Sequence, residues 1–251
     1  MPELRRIRCR TAYDGTNFHG WQVQPGLPTI QAELQRVIAG IEESPVVVEA
    51  SGRTDAGVHA LRQMIAFSIR NPIPCENLRR AINRLLPHTI RVFEVEETHP
   101  EFHPRFDAVS KHYQYRIWRD EICMPFDRPY VHHHPYPLDE AVMAEAAETL
   151  IGEHDFTAFA AADEKDALGH SKVRKIFKSS LRRDGPRLYY DVEGSGFLKH
   201  MVRNLIGAIV ETGKGNLTIE AFKALLLADG PKAGPTLPAQ GLFLMDVRYP
   251  G

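Results

Sequence analysis

The order of hydrophobic periodicities over the first hundred residues constrains the fold more than any other feature of this chain. Residues 6–13 alternate, with Ile7, Cys9, Thr11 and Tyr13 on one side and Arg6, Arg8 and Arg10 on the other, a strand with one wet, basic face. The run "TIQAELQRVIAGI" then sets Ile30, Leu34, Val37, Ile38 and Ile41 at helical spacing, with Thr29 as N-cap. Strands at 46–50 and 62–69 follow. "ENLRRAINRLL" carries a second helical stripe (Leu78, Ala81, Ile82, Leu85, Leu86), closed by Pro87, and 89–95 is again a strand. That order, β-α-β-β-α-β, is the ferredoxin-like pattern. Beyond a seam, "HPEFHPRFDAVS", the rhythm returns more loosely. It gives a strand at 110–118, a helix at 138–151, strands at 173–182 and 187–193, helices at 197–211 and 219–228, and a last strand, "GLFLMDVRY". The expectation is an α/β (α+β) chain of two ferredoxin-like lobes, 1–103 and 104–251, with mainly antiparallel sheets and a central active-site cleft.

Composition narrows the class. The chain has 251 residues, and no apolar stretch approaches the roughly 20 residues of a membrane helix. "MPELRRIRCR" has charge without the apolar segment of a signal peptide, so a cytoplasmic protein is expected. Cys9, Cys75 and Cys123 are scattered, which argues against a disulfide framework or zinc ribbon and for small buried hydrophobes. A net charge of −1 counts mildly against nucleic acid, yet basic residues cluster locally: Arg5, Arg6, Arg8 and Arg10; Arg79, Arg80 and Arg84; Lys199, His200 and Arg203.

Residues 50–60, "ASGRTDAGVHA", carry the candidate chemistry. An aspartate in a glycine-rich loop is most often a turn or cap residue. Here Gly52 and Gly57 allow positive φ or close backbone approach, Arg53 falls on the side of Asp55 if the segment is extended, and His59 follows. A guanidinium beside Asp55 would favour the carboxylate, which can act as base or nucleophile. Other readings are weaker. "EGSGF" is no nucleophile elbow, and Ser195 reads as a helix cap. No phosphate-binding loop occurs. His132, His133 and His134 are consecutive and do not share a face, and His99 and His103 are flanked by prolines, so no metal is expected. Tyr115 reads as core, Tyr113 as the tyrosine nearer the strand start, and Arg203 as the polar side of its helix.

Six segments in order are similar to the tRNA pseudouridine synthase A family: "AYDGTNFHGWQVQ", "TIQAELQ", "SGRTDAGVHA", "FHPRFDAVSKHYQYRI", "GFLKHMVRNLIGAIVETG" and "GPTLPAQGLFLMDVRY". They span essentially the whole chain. The resemblance implies isomerisation of uridines 38, 39 and 40 in the tRNA anticodon stem-loop to pseudouridine, by a homodimer using neither metal nor organic cofactor. It implies Asp55 as nucleophile, and Tyr113, Arg53 and Arg203 as substrate-binding residues. Ser195 and Leu237 depart from the family pattern, where Asn and Ala are commoner. Phosphate contacts are assigned to the basic strand face and to the Lys199/Arg203 side. Two other classes compete: a non-catalytic RNA-binding protein, and a small-molecule hydrolase built on Asp55 and His59.

Overall fold

The computed structural model describes residues 3–162, 169–227 and 232–250. They form two compact units, 1–109 with 243–251, and 110–242. The division thus falls after Val109 rather than at 103/104, and it places the last residues with the first unit.

In the first unit, β1 (Arg5–Tyr13), α1 (Ile30–Glu42), β2 (Glu49–Ala50), β3 (His59–Ile69), α2 (Cys75–Leu85) and β4 (Ile90–Glu97) follow the expected order. β1 lies between β4 and β3, and β2 pairs with β3, every pair antiparallel. This is the ferredoxin-like arrangement. The C-terminal strand (Leu242–Arg248) lies parallel to the start of β3, pairing Phe243 with His59 and Leu244 with Ala60. The outer edge of β3 is therefore shared, by that strand at one end and by β2 at the other. Alternation buries Ile7, Cys9, Thr11 and Tyr13 completely or nearly so, with Leu34, Ile38, Leu78 and Ile82 from the helices in the same core. Each of the buried Ile and Leu side chains contributes about 1.5–3 kcal/mol. Thr29 caps α1 as expected, its hydroxyl accepting from Ala32 N–H.

The opposite face of β1 is half-buried and its arginines are paired. Arg6 pairs with Glu49, Arg8 with Glu96, and Arg10 with Asp246 at 3.2 Å, while Arg5, at the start of the strand on the Ile7 side, pairs with Glu97. A strap after β4 crosses this face. Phe102 is buried there with Met64, Ala66 and Tyr249, its carbonyl accepts from Arg6, and Arg8 lies over its ring. Glu96 and Glu97 come from β4, where "FEVEE" puts carboxylates beside β1, whereas Glu49 comes from β2 and Asp246 from the C-terminal strand. The alternation of Glu94 and Glu96 was the available signal.

In the second unit, β5 (Ser110–Trp118), β9 (Arg187–Gly194), β8 (Val173–Asp184) and β7 (Gly152–Asp155) form an antiparallel sheet in that order, and β6 (His132–His133) runs parallel to β5. α3 (Glu140–Glu148) starts at Asp139, whose carboxylate caps it. α4 (Met201–Gly213) is buried on nearly every side, from Val202 through Ile206 to Val210, as a helix apolar all round must be. α5 (Ile219–Ala224) is shorter than expected, and residue 228 lies outside the described residues. β6 and β7 were not expected. Cys9 is buried and Cys75 and Cys123 half-buried, all as free thiols.

Candidate active site

The loop from Ala50 to His59 is held at each step. Ser51 N–H donates to the Met64 carbonyl (2.9 Å), the Ser51 hydroxyl bonds Gln63, and Gln63 Nε2 returns to the Gly52 carbonyl (2.8 Å). The Thr54 hydroxyl meets the buried Tyr13 hydroxyl at 2.8 Å, and the Thr54 carbonyl accepts from Trp21 N–H at 3.0 Å. Burial pushes the Tyr13 phenol up, so it remains a neutral partner. Val58 N–H then donates to the Asp55 carbonyl at 3.1 Å, closing a turn over Asp55, Ala56, Gly57 and Val58. Gly57 occupies its third position at φ 79°, where a type II turn requires positive φ. Gly52 does not use positive φ. Asp55 is thus a turn residue by its backbone while its side chain is half-buried, so the bland reading and the catalytic one are compatible.

A second loop, residues 14–21, braces this turn. Gly57 N–H donates to the Phe18 carbonyl (3.3 Å). Gly20, at φ 85°, packs so closely that a Cβ there would stand 2.7 Å from the Thr54 oxygen and 3.1 Å from the Asp55 carbonyl carbon. Reading the residues alone gave this loop no role. The signal was the pair of glycines in "DGTNFHGW".

His59 is 1% exposed. Its Nδ1 accepts from Gly15 N–H at 3.1 Å, lies 3.2 Å from Asp14 Oδ1, and the ring stacks on Phe243. These contacts commit the imidazole to the bracing loop, which removes the support for a hydrolase using His59 as a reacting base. Arg53 is exposed and makes no hydrogen bond or ion pair among the described residues. The contact with Asp55 expected from their spacing is therefore not formed.

In the second unit, Tyr113 and Tyr115 share the buried face of β5, at 7% and 0% exposure. Tyr115 donates to the Pro238 carbonyl (2.7 Å), as a core tyrosine should. Tyr113 stands edge-on to Phe197, with ring centroids 5.0 Å apart. Arg203 is not an ordinary surface arginine. It is half-buried on α4, its Nε donates to the Leu237 carbonyl at 2.7 Å, and Leu237 N–H returns to the Arg203 carbonyl. Leu237 makes these contacts through its backbone, so its departure from the family pattern leaves them intact. Ser195 does not cap α4. Its hydroxyl accepts from Lys175 N–H, and α4 begins four residues later than the stripe implied, after His200 at φ 59°. Lys199 is exposed, with Nζ 3.3 Å from the Ala162 carbonyl.

The histidine run obeys strand alternation. His133 turns to the Asp120 carbonyl, while the His132 and His134 rings lie 6.0 Å apart. Among the described residues no group of three or more His, Cys, Asp or Glu side chains is placed to hold a metal. No helix among them is long and apolar enough to cross a membrane.

The sequence profile described as tRNA pseudouridine synthase matches residues 10–107 and 146–250. The chain belongs to the tRNA pseudouridine synthase family. Arg53 and Asp55 lie in the first matched segment of the synthase profile, Arg203 in the second, and Tyr113 between them. The tRNA pseudouridine synthase A of Solibacter usitatus is 60% identical over 246 residues, covering 98% of this chain and 100% of that one. That of Anoxybacillus flavithermus is 43% identical over 249 residues, covering 98% and 99%. Among solved structures, an archaeal box H/ACA sRNP Nop10–Cbf5 complex aligns at TM-score 0.33 and 12% identity, over 82% of this chain and 43% of that one. As a member of the synthase family the chain is an isomerase that makes pseudouridine in tRNA, and the two rival classes fall away.

Proposed function

We propose that this enzyme isomerises uridines 38, 39 and 40 of the tRNA anticodon stem-loop, with Asp55 as nucleophile. The observation that carries the assignment is the braced turn, which fixes the Asp55 backbone from two sides while leaving its carboxylate half-buried. Pseudouridylation breaks the C1′–N1 bond, turns the freed uracil and rejoins it through C5, with nothing added or lost. A fixed carboxylate suits this reaction because it can add to ribose C1′ or base C6. Tyr113 offers a ring to pack on uracil and a hydroxyl for the C5 proton. Arg53, exposed and without an ion-pair partner among the described residues, serves phosphate or the vacated base position, and Arg203 binds substrate from α4. A stem uridine must be flipped out at a cost of a few kcal/mol, which phosphate contacts offset. The strand arginines are excluded from those contacts by their own ion pairs. The enzyme works in the cytoplasm as a homodimer of two-lobed chains, the second lobe carrying the tyrosine strand and α4, and it requires no cofactor.

The test is tritium release from [5-³H]uridine-labelled tRNAs bearing a single uridine at 38, 39 or 40. Wild type releases label from each, and Asp55→Asn releases none while still binding tRNA. Release from other positions only would overturn the site assignment. Undiminished release by Asp55→Asn would overturn the nucleophile. Light scattering on the same active preparation is expected to give twice the chain mass.

A further inference from the structure

Phe106 is 74% exposed. A single exposed apolar side chain needs no explanation, but this one is held unusually firmly. His103 N–H donates to Asp107 Oδ2 (2.9 Å) and Asp107 N–H to the His103 carbonyl (3.1 Å), while His103 Nδ1 accepts from Arg105 N–H at 3.1 Å. These bonds lock residues 103–107 into a closed turn. The His103 ring lies against Phe106 with centroids 4.2 Å apart, and the Arg105 guanidinium is 5.7 Å from the Phe106 centroid. The turn is rooted on both sides. Phe102 before it is buried, and Tyr249 donates to the Pro104 carbonyl at 2.6 Å.

We infer that Phe106 is a stacking platform for an unstacked nucleobase of the bound tRNA, with Arg105 and His103 as flanking donors to its backbone. A rigid, largely exposed aromatic beside a cationic side chain, here Arg105, is the combination that binds single-stranded bases without reading sequence. The polar surroundings, His103, Arg105 and Asp107, fit a nucleotide better than the apolar surface of a second protein. This inference rests on the reading of tRNA as substrate. The ring steadies the displaced strand while the reacting uridine is out of its stack.

The experiment compares Phe106→Ala, Phe106→Leu and Phe106→Trp in the full chain, with Phe126→Ala as control. Phe126 is more exposed (86%) and has no ring or cation partner among the described residues. Thermal melts verify that the variants fold. Phe106→Ala and Phe106→Leu are each expected to weaken tRNA binding about 10-fold, the value of one base–aromatic stack. Phe106→Trp binds as wild type, and its added fluorescence is quenched by tRNA. Phe126→Ala is unchanged. Leucine binding as well as phenylalanine, an unquenched tryptophan, an equal loss in Phe126→Ala, or a loss tracking dissociation in light scattering would each overturn the platform. Failure of tritium release by wild type, with the binding differences preserved, would remove the proposed reaction and leave the platform standing.

Discussion

Arg10 and Arg53 lie in the same unit and have opposite surroundings. Arg10 pairs with Asp246 and donates to the Val247 carbonyl at 2.7 Å, whereas Arg53 is exposed with no such partner among the described residues. A paired arginine cannot release phosphate counterions without first giving up its carboxylate, so the two should separate in a salt titration. Arg53→Ala is expected to reduce the slope of log affinity for tRNA against log salt by about 1. Arg10→Ala should leave that slope unchanged and instead lower stability by about 1–3 kcal/mol through its lost hydrogen bonds. A reduced slope in Arg10→Ala would return the strand arginines to the RNA surface. Sequence showed the charges of β1 plainly but not their state, because the neutralising carboxylates lie far along the chain, on β2, β4 and the C-terminal strand.

The bracing of the Asp55 turn by residues 14–21 is a contact of backbone on backbone, which sequence periodicity does not encode. Gly20→Ala would push a methyl group to 2.7 Å from the Thr54 carbonyl oxygen and displace the turn. Small displacements of a reacting group cost roughly 10²-fold in rate, so kcat should fall by about that factor with tRNA affinity near wild type. Gly26→Ala is the matched control, since it has a similar φ (73°) but nothing within 4 Å of the added Cβ. It should cost about 1–2 kcal/mol of stability and leave kcat intact. Equal kcat losses in both variants would reduce the effect to backbone strain. Long periodic elements such as α1 and β5 were legible because burial repeats along them. β7 was not, since four residues of "GEHD" offer no period, and the start of α4 was misread because Leu198 continues an apolar stripe that His200 interrupts by its backbone.

At the scale of the whole molecule, stability should fall in mild acid. His132 is pushed down to about 4, first by burial and then by the neighbouring side chains His134, Lys214, His133 and Arg128, which oppose a positive charge there, and His134 is lowered in the same direction. A histidine whose folded pKa lies below its unfolded value leaves stability complete above about pH 6.5. Stability is then lost as pH falls towards 4, at up to about 1.4 kcal/mol per pH unit for each proton. Denaturant midpoints at pH 7, 6 and 5 should fall progressively, and His132→Asn should flatten the trend. A midpoint independent of pH in wild type would contradict this.

The pairing of Phe243 and Leu244 with the start of β3 also bears on synthesis. A ribosome makes these residues after the whole of 110–242, so the sheet edge beside His59, next to the Asp55 turn, stays open until the internal unit has emerged. Domains generally fold in the order they are translated. Here the unit begun first is completed only by residues made after the other unit.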